Sequence, residues 1–173
     1  MRKWFENKIV AVVWTVLRVW LGVQWLQAGW GKVTGGFDAS GYLQGAIAKA
    51  GGEAPVVAAW YGTFLETVAL PNAKLFSVLV AWGELLVGIG LIVGALTIPA
   101  LIAAGFMNLN FLWAGTISTN PTLLLIAIVL LFVWKGATYY GADRFITPMV
   151  KTKMNERKNK PKAKGEIIAE GQA

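Results

Sequence analysis

Six side chains that could do chemistry stand in otherwise apolar stretches: Arg18, Trp25, Lys32, Glu84, Asn108 and Asn110. An isolated arginine at the centre of a bilayer costs about 2.5–3.5 kcal/mol on insertion scales, so it calls for a partner. Arg18 falls ten residues after Lys8, and Glu84 nine residues after Leu75. Both positions are near the middle of apolar runs that must travel in opposite directions. That spacing predicts a buried Arg18–Glu84 ion pair. Lys32, Trp25, Asn108 and Asn110 reach a common level nearer the outer side. Together they outline a pocket between helices, a common place for ligands. Its chemistry suits a quinone head group. Arg, Lys or Asn would donate to the carbonyl oxygens, and Glu84 would accept or relay a proton. Arg18 and Glu84 are then the catalytic candidates. Trp25, Lys32, Asn108 and Asn110 are the cofactor-binding candidates. Structural readings of the same residues stand beside this one. An Arg–Glu pair can set helix register, asparagines can join helices, and tryptophans can anchor at an interface.

Other chemistry is excluded by type. The sequence has neither Cys nor His. It therefore offers no thiolate or imidazole for zinc, iron–sulfur clusters or haem, and no metal site is expected. Ser-His-Asp and Cys-His catalysis are excluded in their usual forms. Redox work would need an organic cofactor such as a quinone, or a partner protein.

The elements that position these residues follow from composition and period. The chain has 173 residues, 56% hydrophobic and 14% charged, where a soluble domain carries about 25% charged residues. This points to an all-α integral membrane protein, a four-helix bundle. The spans are expected at 9–31, 75–93, 97–113 and 121–140, each near the roughly 20 residues a bilayer requires. Arg18, Gly22, Trp25, Gly29 and Lys32 form one helical stripe, and Ser77, Ala81, Glu84, Gly88 and Leu91 form another. Small residues in such stripes allow close approach. Thr97 can cap the third helix, and Asn120 with Pro121 can start the fourth.

Between the first two spans, residues 36–70 form an extracytoplasmic helical segment. Ser40 to Ala50 reads as one short helix and Pro55 to Leu70 as another. Val57, Tyr61, Phe64 and Val68 recur at helical spacing, with Glu66 off that stripe. An aromatic amphipathic segment suits the membrane interface; a re-entrant helix capping the bundle is the close alternative. Basic residues flank both termini, and the short connections are uncharged. The positive-inside rule then puts both termini in the cytoplasm of a multi-pass cell-membrane protein. Residues 149–173 are Lys-rich and are expected to be disordered. Their net charge of one sign suits an anionic membrane surface or a topology signal rather than nucleic acid.

Several runs resemble one family. They are Arg18–Gly22 (RVWLG), Trp25–Lys32 (WLQAGWGK), Val80–Gly88 (VAWGELLVG), Asn108–Gly115 (NLNFLWAG), Ser118–Pro121 (STNP) and Gly141–Phe145 (GADRF). In this order they are similar to the DoxX family of small four-helix membrane proteins, over roughly residues 9–148. The family is related to DoxD, the large subunit of thiosulfate:quinone oxidoreductase. Other members are linked to oxidative-stress complexes with soluble redox partners. The resemblance implies a redox-linked membrane setting, and the matching polar positions are Arg18, Lys32, Glu84, Asn108 and Asn110.

The reading that joins residues and resemblance is a quinone-binding membrane subunit of an oxidoreductase. The alternative is a non-catalytic anchor or adaptor that recruits a soluble redox partner through its loop or tail. A small transporter is weaker, because no inverted repeat or pair of broken helices is visible. Lipid bilayer, a redox partner and a second copy of the chain are the expected partners.

Overall fold

The structure is a computed structural model and describes residues 8–51 and 53–159. All regular elements among the described residues are helical. They are α1 (Lys8–Gly35), α2 (Ala39–Ala48), α3 (Ala59–Phe64), α4 (Ala73–Val93), α5 (Thr97–Trp113), α6 (Asn120–Phe132), α7 (Trp134–Ala137) and α8 (Asp143–Asn159). A π-helical turn, Leu65–Ala69, continues α3. By length and apolarity, α1 and α4 can each cross a membrane, while α5 and α6 are apolar but shorter.

The antiparallel pair α1–α4 is the spine of the molecule, and glycines fix its register. A Cβ at Gly29 would strike the backbone of Glu84 and Leu85. A Cβ at Gly88 would strike the backbone of Leu26. Without those side chains the two backbones touch, which is how apolar helices gain contact when no water is there to drive them together. α5 packs against α4, and α6 against α5 and α1. Leu21, Leu91, Leu101 and Leu130 are fully buried among them.

This register overturns the expected Arg18–Glu84 pair. α1 runs to Gly35, past the expected end at residue 31. Gly29, not Arg18, lies beside Glu84. Arg18 reaches the far end of α4, where the Gly94 turn begins. Lys32 follows Arg18 by fourteen residues on α1, about 21 Å at 1.5 Å per residue. Equal distance from the ends of two runs did not give equal depth, because the helices are offset along their axes.

Helix ends depart from expectation in two more places. Thr97 does not cap α5. Leu96 occupies the cap position at φ 52° with no side-chain bond of its own. Asp143 supplies the acceptors instead: Oδ1 takes the Leu96 N–H and Oδ2 the Thr97 N–H, both at 2.8 Å. The fourth span is not one helix over 121–140; α6 ends at Phe132, and after Val133 the short α7 follows. The segment after Met149, expected to be disordered, is helical through Asn159. The remainder of that expectation lies outside the described residues.

Residues between α1 and α4 fold back as an outer layer. Asp38 starts α2, its Oδ1 accepting the Ser40 N–H at 3.0 Å. The Ala39 N–H donates to Ser77 Oγ at 2.9 Å, tying α2 to α4. A second core forms here from Leu43, Val57, Tyr61, Leu65, Ala69 and Ala114. The buried stripe is Val57, Tyr61, Leu65 and Ala69, so Val68, expected on it, is exposed instead. Glu66 is exposed, as its place off the stripe suggested.

Candidate functional site: an aromatic cavity with one ion pair

Between the outer layer and the long helices lies a cavity of about 850 Å³. That is within the roughly 300–1,000 Å³ of small-molecule sites. α1 contributes Trp25 and Lys32, α4 contributes Glu84, and α5 contributes Asn110. Phe37, Tyr42, Tyr61 and Phe64 close it from the outer layer. The π-helical turn contributes Leu65 and Ala69. Extra residues of this kind in a helix often occur at functional sites.

Lys32 Nζ donates to Glu84 Oε2 at 2.6 Å, the charged contact on the cavity wall. Glu84 is 2% exposed and the Lys32 side chain 26%. The ammonium also lies 5.6 Å from the Phe37 ring centroid, a cation–π contact. A charge this deep stays ionised only if paired and hydrogen-bonded. Lys32 and Glu84 come together because Gly29 brings α1 onto the turn of α4 that carries Glu84.

Trp25 is buried, and its Nε1 has no hydrogen-bond partner. An indole N–H can only donate, so this is a buried donor left without an acceptor. Tyr61 binds the two layers together: its hydroxyl donates to Asn110 Oδ1 at 3.0 Å. Tyr42 pairs with Thr116 Oγ1 at 3.0 Å. Burial pushes the Tyr61 phenol up to about 12, with Tyr42 adding to the shift. The Tyr42 phenol is also raised by burial. Both hydroxyls therefore keep their protons near neutral pH.

The structure separates the sequence candidates. Trp25, Lys32, Glu84 and Asn110 share the cavity wall. Asn110 is already engaged, since its Nδ2 donates to Phe106 O at 2.8 Å while its Oδ1 accepts from Tyr61. Asn108 is fully buried, off the cavity, and neither end of its amide has a partner. Arg18 is also off the cavity. Its Nη2 donates to the Tyr140 carbonyl at 2.7 Å, its guanidinium packs on Gly94 and Gly141, and Asp143 is its charged neighbour. Gly94 takes a left-handed φ of 69°, so glycine serves both the turn and the packing there.

Sequence reasoning missed Phe37, Tyr42 and Tyr61 as parts of the site. Tyr61 was visible on a helical stripe, but that stripe reads the same whether it meets lipid or protein. Asp143 was visible only inside the GADRF run.

The DoxX family model matches residues 13–116. The chain belongs to the DoxX family. The match covers more than half of the sequence and includes all six candidate polar residues. It stops before α6, so the GADRF run lies beyond it. No curated protein and no solved structure matches the chain. DoxX membership agrees with two helices long and apolar enough to span a bilayer. It also agrees with the outward apolar surface, where Val16, Leu86, Phe106, Leu125 and Phe132 are each more than 60% exposed. Soluble monomers rarely show so much apolar surface. This DoxX chain is a membrane protein.

Proposed function

We propose that this DoxX protein binds a quinone or quinol in the cavity and serves as a membrane subunit of a quinone-linked oxidoreductase. The observation that carries the reading is the Lys32–Glu84 pair, its carboxylate buried, on the wall of an aromatic cavity. Lys32, 26% exposed on the same wall, is a donor that fits a carbonyl acceptor. The cavity's rings suit a flat ligand that stacks offset or edge-on.

A bound quinone would supply two-electron chemistry coupled to proton transfer. The chain's own residues position and protonate. Lys32 Nζ donates a hydrogen bond to a ligand oxygen, Trp25 contributes to the cavity wall, and Glu84 takes or gives a proton at Oε2 as Lys32 turns between it and the ligand. Tyr61 and Tyr42 hold the outer layer against Asn110 of α5 and Thr116 beyond it. Electrons come from a donor outside the chain, which has no Cys or His to carry a metal centre. In the same reading α1, α4, α5 and α6–α7 cross the bilayer as a four-helix bundle. Both termini are cytoplasmic, and α2 and α3 face the outside.

The test is organic extraction of detergent-purified protein, with mass spectrometry for quinone, on wild type and Glu84→Gln. Stoichiometric quinone in wild type and its loss from a folded Glu84→Gln protein are expected. Absence of quinone from both would end this reading and favour the adaptor.

A further inference from the structure

We propose that α8 is a membrane-surface helix that binds anionic phospholipid at the Arg18 end of the protein. Its first turn is fastened to the ends of two long helices, with a third tie to Arg18 inside α1. The Ala142 N–H donates to Val93 O at 3.2 Å, and the Asp143 N–H to Gly94 O at 2.8 Å. The Asp143 carboxylate holds the start of α5, and Arg18 of α1 holds Tyr140 just before the turn. The helix therefore starts at a fixed level, where α4 ends and α5 begins.

Its side chains then divide by face. Phe145, Met149 and Val150 are 70%, 67% and 48% exposed, so no described part of the protein covers them. At about 100° per residue they share one half of the helix with Ile146. Arg144 and Lys151 lie seven residues apart on the other half, and both are exposed. From residue 144 to residue 164 the sequence holds eight Lys or Arg and one acidic residue, Glu156. Over residues 144–151, apolar groups on one side and cations on the other, beside spanning helices, match the boundary between acyl chains and anionic head groups. Nucleic acid or an acidic protein would use the cations but would leave Phe145 and Met149 in water.

The Cys-free sequence allows the test on the full chain. Met149→Cys and Asn155→Cys are each labelled with an environment-sensitive fluorophore. The proteins are placed in nanodiscs of pure phosphatidylcholine or with about one third phosphatidylglycerol. The Met149 label is expected to shift to the blue and escape an aqueous quencher only in the anionic discs. The Asn155 label, on the opposite side, stays quenchable. Salt of about 0.5 M should reverse the shift by screening, and so should Arg144→Glu combined with Lys151→Glu. A Met149 label equally quenched in both discs would overturn the proposal. A label equally buried in both, and indifferent to salt, would also overturn it, because the apolar face alone would then hold the helix.

Discussion

Lys32 holds the carboxylate of Glu84 at 2.6 Å, and the two are unequally buried: the carboxylate side chain is 2% exposed, the ammonium side chain 26%. The pair is therefore asymmetric in what each partner can do alone. Lys32 can turn its head toward water; Glu84 cannot. Removing one partner of a buried pair costs about 3–5 kcal/mol when the other is left stranded. Lys32→Met is expected to lower thermal stability in detergent more than Glu84→Gln does. Adding Glu84→Gln to Lys32→Met should recover part of the loss. Equal losses from the two single variants would refute the asymmetry.

The α1–α4 contact makes a sharper prediction about glycine. Gly29→Ala and Gly88→Ala each force a Cβ into backbone, which cannot swing aside. Overpacking of this kind costs about 1–3 kcal/mol. Gly31 lies on the same helix with nothing within 4 Å of its added Cβ. Gly31→Ala should be neutral or slightly stabilising. Unfolding in increasing denaturing detergent would rank the three variants, and a Gly31→Ala loss as large as that of Gly29→Ala would count against the register.

Asp143 caps a helix that begins 46 positions earlier in the chain. Its loss frees the N–H groups of Leu96 and Thr97 and removes the charged neighbour of Arg18. Loss of a helix cap costs about 0.5–2 kcal/mol. Asp143→Ala should show that loss together with faster hydrogen exchange at Leu96 and Thr97. Unchanged exchange there would show that the cap contributes little.

The buried phenol of Tyr61 sets a limit at high pH. Its pKa in the fold is raised to about 12, against about 10 for an unfolded tyrosine. The contribution of the neutral phenol to stability is thus complete below about pH 10 and declines as pH rises through about 12. A tyrosinate absorbance titration of the folded protein should contain one step near pH 12 that Tyr61→Phe removes. Disappearance of a lower step instead would assign the late phenol to another residue.

Much of the site was legible because polar atoms in apolar sequence are conspicuous. Trp25, Lys32, Glu84 and Asn110 stood out by type and do share one wall. Their pairing was not legible. It depends on how far α1 slides along α4, which Gly29 and Gly88 decide through contacts that no spacing rule contains. The inward turn of Tyr61 was hidden because an amphipathic stripe states which face is apolar, not what covers it. The Asp143 cap was hidden because cap signals are sought next to the helix they serve. The break at Val133 followed a run of apolar residues with no Gly or Pro to announce it.

The protein has two cores, one among the long helices and one beneath the outer layer. The outer layer joins α1 at Gly36, in a left-handed turn with φ 66°, and joins α4 at the Pro71–Asn72 turn. Its polar ties to α5 and the loop beyond run through Tyr61, Tyr42 and Lys49. Cooperative units with their own cores open with their own free energies. Segments around Tyr61 and Leu65 should therefore unlatch and relatch many times for each global unfolding that exposes Leu91 or Leu101. Such partial openings would widen the cavity while the long helices stay assembled.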